Sequence, residues 1–358
     1  SPKTATIRID RTAPMVTDDV PTAWVKGPVA VSLAATDGGS GVASIVYSND
    51  GTEPTTPYTG QIVVASQGMT TIRYRATDSV SNSSAIKSAT VRIDDTAPVS
   101  SDNAPDDWVN GPVAVTLSAE DTLSGVAAIR YSLDGGAETT YTAPVTVSGD
   151  GVHTIEYFAV DEAGNVEEPR STTVRVDDTA PVTTSDAPEG WVSGPVVVTL
   201  STTDTVSAVA ELLYSVDGTE PSLLYTEPLV ISVQGATTLS YRAVDLAGNA
   251  EDVQTRVVMI DDDAPTTTDN APEGWVNGPV TVTLTATDTV SGVADTLYRI
   301  DGGETLTYAT PIVVSSEGTT IIAYWSVDDK GNVEETHSTT VRVDDTAPTL
   351  SFNAQSSY

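Results

Sequence analysis

The sequence predicts an all-β fold of four tandem, seven-stranded β-sandwiches set end to end as a linear rod. Three observations predict it. A string of the form Asp-x-Thr-Ala-Pro recurs with its proline at Pro14, Pro98, Pro181, Pro265 and Pro348, spaced 84, 83, 84 and 83 residues apart (Asp263 takes the Thr place once). The first four are each followed by Trp-Val-x-Gly-Pro, beginning at Trp24, Trp108, Trp191 and Trp275. Between these markers apolar residues alternate with polar ones at period two, the spacing of a half-buried strand and not of a helix. A fixed period of this length marks a repeat array, in which each unit touches only its neighbours. The boundaries follow: residues 11–94, 95–177, 178–260 and 261–343 are four full repeats, 1–10 the last strand of a preceding repeat, and 344–358 the start of a fifth.

The second repeat shows the elements in order. A first strand follows Pro98. The second, 113–119, alternates, with Val113, Val115, Leu117 and Ala119 on one face. A loop over 120–125 leads to a third strand, 126–133. Asp134-Gly135 then predicts a hairpin, because a type I′ turn needs positive φ at both central residues; the same pair stands at Asp50, Asp217 and Asp301. Short strands at 139–141 and 145–148 precede a long one at 152–160. Ala163-Gly164-Asn165 turns the chain into the last strand, 172–176. Seven strands in one period, with Pro and Gly at every joint, leave no room for a helix and read as two sheets joined by Greek-key crossings.

Composition sets the limits on function. Hydrophobic residues make up 39% of the 358, enough for several small cores, and they are mostly Val, Ala and Ile beside Thr and Ser, which is strand composition. The formal charge of −34, from 16 Lys+Arg against 50 Asp+Glu, argues against nucleic acid and against an anionic membrane surface. It favours solubility and attraction for cations. With no Cys there are no disulfides, thiolate metal sites or Cys nucleophiles. No run of 18 apolar residues predicts membrane insertion. No signal peptide is visible, and since the chain opens in mid-pattern it is expected to be an excerpt of a longer one.

The strand and turn from Tyr157 to Asn165, Tyr-Phe-Ala-Val-Asp-Glu-Ala-Gly-Asn, resembles the penultimate strand and loop of fibronectin type III and bacterial Ig-like modules. Tyr47-Ser-Asn-Asp-Gly-Thr-Glu-Pro and Tyr214-Ser-Val-Asp-Gly-Thr-Glu-Pro look like the sandwich module at the carboxy end of some chitobiases and other glycosidases. The resemblance covers all four repeats. It implies Ig-like sandwiches in an extracellular setting, at a cell surface or secreted, where such modules serve as spacers, adhesin stalks or accessories to polysaccharide-degrading enzymes. Fold alone does not assign the function.

Acidic residues recur at three separated points of each repeat. The linkers supply Asp94 and Asp95, Asp177 and Asp178, then Asp261, Asp262 and Asp263. The loop after the second strand supplies Asp121, Asp204 and Asp288. The turn before the last strand supplies Asp161, Asn165 and Glu167; Asp245, Asn249 and Glu251; Asp328, Asn332 and Glu334. In an Ig-type sandwich these two loops lie at the end where the chain enters, so all three sets are expected to meet at the junction with the preceding repeat. Clustered carboxylates repel, and a hard divalent cation with six to eight oxygen ligands removes that repulsion, which makes Ca²⁺ the expected cofactor. The plainer reading is that Asp and Asn serve turns, since they bond their own backbone and tolerate the left-handed region. The spacing fits no EF-hand. Repeat 1 breaks the pattern: its linker reads Asp10-Arg11 and its last turn Asp78-Ser-Val-Ser-Asn82-Ser-Ser, without Gly or Glu. Its junction is expected to bind calcium weakly or not at all, with Arg11 supplying positive charge.

The repeated Trp invites stacking on sugar rings, but a fixed aromatic beside Gly-Pro in every repeat is read first as a cover for one end of the core. Trp325 is different, because Arg75, Phe158 and Arg242 hold its equivalents, and it is expected to face outward. No catalytic order emerges from His153 and His337, which occupy non-equivalent positions. Repeats 2 and 3 contain no Lys, so Lys–Asn isopeptide cross-links are excluded there. The chain is therefore expected to be no enzyme but a structural stalk or adhesin segment. Its expected partners are neighbouring repeats of one long chain, and a cell-surface protein or polysaccharide. An accessory carbohydrate-binding region of a secreted glycosidase is the alternative; a filament subunit that donates the strand around Thr4 to Asp10 is a second.

Overall fold

The computed structural model describes residues 3–352. Among them all regular structure is strand, with no helix long and apolar enough to cross a membrane. The chain divides into two compact units, Ser1–Thr179 and Ala180–Tyr358, holding two repeats each. Residues 353–358 of the predicted fifth repeat, and residues 1 and 2, lie outside the described residues.

Every repeat is a two-sheet sandwich with the same register. In the second, the strand Val99–Asp102 pairs antiparallel with Leu117–Glu120, and Val113–Val115 pairs antiparallel with Val145–Val147. The predicted second strand is thus one alternating run cut at Thr116, each half with its own partner. The cut is stabilised by side chains that take over from the missing ladder. In repeats 1, 3 and 4 a Tyr hydroxyl accepts the N–H of Leu33, Leu200 and Leu284, while Asp19, Asp186 and Asn270 accept the N–H one residue earlier. Side-chain oxygens thus accept backbone N–H groups that lie at the break, as buried donors require.

The second sheet has five strands in the order Trp108–Val109, Arg170–Val176, Gly151–Asp161, Val126–Leu133, Thr139–Thr140. Its first member runs parallel to the second, with Trp108 opposite Arg175 and Val109 opposite Val176. A bulge between Val126 and Ala128 recurs at the same place in every repeat. The long strand buries Ile155, Tyr157, Ala159 and Asp161 on one face. Ile155 and Tyr157 meet Val115, Leu117, Val145, Val147, Val174 and Val176 between the sheets. Burying one such aliphatic side chain contributes about 1.5–3 kcal/mol. Each core is small, so polar ties carry weight beside it.

The Asp-Gly hairpins split into two types. Asp134 and Asp301 have φ of 51° and 49°, with positive φ at the following Gly, as a type I′ turn demands. In repeats 1 and 3 only the Gly is left-handed, and Asp50 and Asp217 instead accept hydrogen bonds from the backbone and hydroxyl of Thr52 and Thr219. The longer Gly-Thr-Glu-Pro loop there replaces the expected tight turn by an Asx turn.

Candidate functional site

The linker dipeptide divides its work. Asp94 follows the last strand of repeat 1, and its N–H still bonds to Val25 O at 3.0 Å. Its carboxylate, however, belongs to repeat 2: Oδ2 accepts the Ser124 N–H at 3.0 Å, while Oδ1 caps Thr96. Asp95 turns back. Its Oδ1 accepts the Gly27 N–H at 2.6 Å in the Trp-Val-x-Gly loop of repeat 1. Asp262 does the same at Gly194. Asp178 ties its linker differently, giving its N–H to Asp150 at 2.7 Å.

The two loops of repeat 2 bring their own acids forward. Asp121 Oδ1 accepts N–H bonds from Leu123 and Gly125, closing the loop on itself. Asp161 holds both the backbone and the side-chain amide of Asn165 at 2.6 Å, and that amide also donates to Asp94 O at 2.9 Å. As a result Asp94, Asp121 and Asp161 each offer a carboxylate oxygen within 4.8 Å of the others. Asp261, Asp288 and Asp328 form the same trio in repeat 4, with Asn332 in the place of Asn165. Asp204 and Asp245 make the equivalent local bonds in repeat 3, to Val206 and Ala208 and to Asn249, while Asp177 caps Thr179.

Repeat 1 departs from expectation. Asp10, Asp37 and Asp78 meet within the same 4.8 Å, and Asn82 bonds to Asp78 and Asp10 just as Asn165 does in its own repeat. Asp37 is the member that sequence reading left out. Gly39 lies so close to the Asp10 carboxylate that no Cβ would fit there. The ion pairs of the described residues do not include Arg11, which was expected to bring positive charge here.

The three glutamates stay out of the trios. Glu167 is buried and accepts from Ser100 N at 2.9 Å, Ser100 Oγ at 2.5 Å and Ala159 N at 3.1 Å, with Arg170 beside it at 2.8 Å. It ties the first strand of its repeat to the long strand across the sandwich. Glu334 binds Thr267 and Ser326 in the same way, and Glu251 binds Thr183 and Ala243. In repeat 1 the Ser84 hydroxyl takes over one of these bonds, from Ala76 N. A Glu two residues after the turn Asn reads in sequence as one more acid; only the register shows that it points into the sandwich.

Three carboxylates this close repel by roughly 1 kcal/mol per pair in water, and by more where water is excluded. At Asp94, burial pushes the carboxyl up, but bonds from Thr96 and Ser124 outweigh it and hold it below the ordinary value. Asp78 and Asp328 behave likewise, with Asn82 and Asn332 the main compensating donors. Asp78, Asp94 and Asp328 therefore stay ionised, and no ion pair of the described residues neutralises the nine Asp of the trios in repeats 1, 2 and 4. The hydroxyls of Ser40, Ser124 and Ser291, in the same loops, are buried without a hydrogen-bond partner, as is Asp37 Oδ1. An all-oxygen donor set of this kind suits a hard cation such as Ca²⁺ and not a soft metal.

The repeated Trp does not cover the core. Its neighbour does: Val25, Val109, Val192 and Val276 pack against the four cores, while Trp24, Trp108 and Trp191 are half-buried and Trp275 is 61% exposed. Alternation on a two-residue strand sends one side chain in and the other out. Trp325 is half-buried rather than fully outward, with the Arg299 guanidinium 5.2 Å from its ring centre.

A model of the chitobiase/beta-hexosaminidase C-terminal domain matches residues 21–88, 105–172 and 187–255. No curated protein matches the chain. Among solved structures, the chain is similar to the fibronectin(III)-like modules of Clostridium thermocellum CbhA at 19% identity, over 45% of this chain and 94% of that one, with a TM-score of 0.28. It is similar to the D1–D4 ectodomain fragment of ICAM-5 at 14% identity, over 93% and 100%, with a TM-score of 0.39. A 1.5-MDa bacterial ice-binding adhesin shares 18% identity over 70% and 99%, with a TM-score of 0.29. The fourth repeat lies outside the matched residues, although its strands keep the register of the other three.

Proposed function

The chain belongs to the chitobiase/beta-hexosaminidase C-terminal domain family, and from that premise we propose that it is a non-catalytic, extracellular stalk whose repeat junctions are stiffened by calcium. The observation that carries this reading is the trio at Asp94, Asp121 and Asp161. One carboxylate comes from the end of one sandwich and two from the loops of the next. A bound Ca²⁺ supplies positive charge shared by both sandwiches, with these three Asp as its protein ligands. The chain's own residues prepare the junction by holding each carboxylate through backbone N–H bonds, so that little ordering remains to be done on binding. The charge of −34 keeps neighbouring chains apart, as a displayed stalk needs.

Small-angle scattering and thermal melting, each with calcium and with chelator, test the proposal. The expected result is a higher Tm and a narrower distribution of lengths in calcium, both reduced in an Asp94→Asn, Asp121→Asn double variant, which removes one of the trios. Identical profiles with and without calcium would remove the cation from the account and leave the trios as turns. A second reading, an accessory carbohydrate-binding region of a secreted glycosidase, is favoured by the exposure of Trp275. A glycan array with wild type and Trp275→Ala separates the two: saturable binding to one polymer, abolished by the substitution, overturns the pure stalk.

A further inference from the structure

Repeat 3 carries an apolar surface that the fold itself does not require. Two shallow clefts of about 360 and 430 Å³ adjoin on its open side and share Val216, Val230 and Ile231. They lie along the seam between the edge strand Leu223–Leu224 of one sheet and the edge strand Leu229–Ile231 of the other. Leu223 and Leu224 are both exposed, Val230 is 67% exposed and Val233 68%. Val197, the cross-strand partner of Val230, is exposed beside it.

The other three repeats serve as internal controls. The positions of Leu223 and Leu224 hold Thr56 and Pro57, Thr139 and Thr140, and Leu306 and Thr307. That of Val233 holds Ser66, Gly149 and Ser316, and that of Val197 holds Ala30, Ala114 and Thr281. The same sandwich therefore closes without Leu224, Val197 or Val233, although Val63 in repeat 1 and Ile300, Leu306 and Val313 in repeat 4 are exposed at the places of Val230, Val216, Leu223 and Val230. An edge strand left open beside exposed aliphatic side chains is the feature proteins normally avoid, because it invites another strand. Repeat 3 carries this exposure further than the others, by Leu224, Val197 and Val233, and that extension calls for an occupant.

Charge says which occupant. Asp217 lines the first cleft and Glu227 the second, so each cleft carries a carboxylate next to the shared apolar waist. Glu227 is particular to this repeat, its equivalents being Gly60, Ala143 and Thr310. Repeat 3 as a whole holds eleven acidic residues against Arg242 and Arg256, which sets a second copy of the same face against itself. We propose that this seam is a docking site for an extended segment of a partner protein with an apolar centre and a basic residue on each side. The segment adds as a strand along Leu229–Ile231; its centre covers Val216 and Val230, and its cations meet Asp217 and Glu227. Backbone pairing supplies affinity and the alternating side chains supply selectivity.

The probes are three capped pentapeptides, Lys-Val-Ile-Val-Lys, Glu-Val-Ile-Val-Glu and Lys-Ser-Thr-Ser-Lys, titrated into the full chain and followed by amide NMR. Saturable binding of the first, with shifts centred on residues 223–233 and affinity at least tenfold above the other two, is the expected result. Val230→Asp and, separately, Leu223→Ser/Leu224→Ser should each weaken it at least tenfold. Because all three side chains are exposed, melting curves that match wild type will show that the fold is intact. Equal binding of the Lys-Ser-Thr-Ser-Lys peptide overturns the proposal in favour of unspecific charge attraction. So does shifting of the same amides with protein concentration alone, which would make the occupant a second copy, or absence of saturation by any peptide.

Discussion

At the scale of single residues, the largest correction concerns Glu167. Its carboxylate gathers two backbone N–H groups, a hydroxyl and a guanidinium inside the sandwich, so truncation leaves several buried donors unpaired. Glu167→Ala should lower the stability of repeat 2 by about 1–3 kcal/mol, read by urea unfolding, while Glu168→Ala one residue on should stay within about 0.5 kcal/mol. Equal effects would mean that Glu167 is no tie. Tyr157 gives a parallel case. Its hydroxyl donates to Asp102 at 2.5 Å, and burial, reinforced by that bond and charge, pushes it up to about 12. Tyr324 pairs with Asp269 and Tyr74 with Asp18, but repeat 3 has Ser185 there and no such bond to Tyr241 is seen among the described residues. Tyr→Phe should therefore cost about 1 kcal/mol in repeat 2 and little in repeat 3, measured as separate unfolding transitions.

At the scale of elements, the loop after the second strand shows what a repeat tolerates. Gly41, Gly125 and Gly292 close it with φ between 83° and 93°, where the left-handed region admits glycine without cost. Repeat 3 places Ala208 at the same point with φ of 77°, and keeps it there through the bond from its N–H to Asp204. Ala208→Gly should raise the stability of repeat 3 by about 1 kcal/mol, seen as a shift of its melting transition; a loss would show that unfolded-chain entropy outweighs the strain. Elements were also where the sequence was most legible. Period-two alternation located the longer core strands, because a residue such as Val115 or Ile155 has only one face to bury, but the two-residue strand Trp108–Val109 is too short to show a period. The cut at Thr116 was invisible, since both halves keep the same alternation and only the partners change. The trios were half legible: Asp94, Asp121 and Asp161 follow from loop placement, whereas the inward turn of Glu167 depends on a bond to Ser100 sixty-seven residues away. Asp37 was hidden because its repeat lacks the Gly and Glu of the later turns, neither of which holds the carboxylates together.

At the scale of the whole molecule, the depressed carboxyls set a pH limit. Asp78, Asp94 and Asp328 ionise more readily in the folded chain than in the unfolded one. Each favours the folded state above its unfolded value near pH 4, and that contribution disappears as pH falls through the lower folded value. Melting temperature without added calcium should hold steady from about pH 7 to 5 and drop below about pH 4. A Tm that rises on acidification would mean that relief of the −34 net charge dominates over these local bonds.

The short Trp-Val strand bears on how such a chain answers a pull. It stands near the start of its repeat and runs parallel to the strand that ends it, with Val109 opposite Val176. Tension applied at the two ends of that sandwich drags these neighbours past one another lengthwise, so their hydrogen bonds are loaded together instead of parting one at a time. Asp95, anchored to Gly27 just beyond the equivalent pair in repeat 1, extends the loaded patch into the linker. Where both ties are present, as at Asp95 and Asp262, what reads along the chain as Trp-Val-x-Gly and Asp-Asp is one fastening expected to bear load in shear.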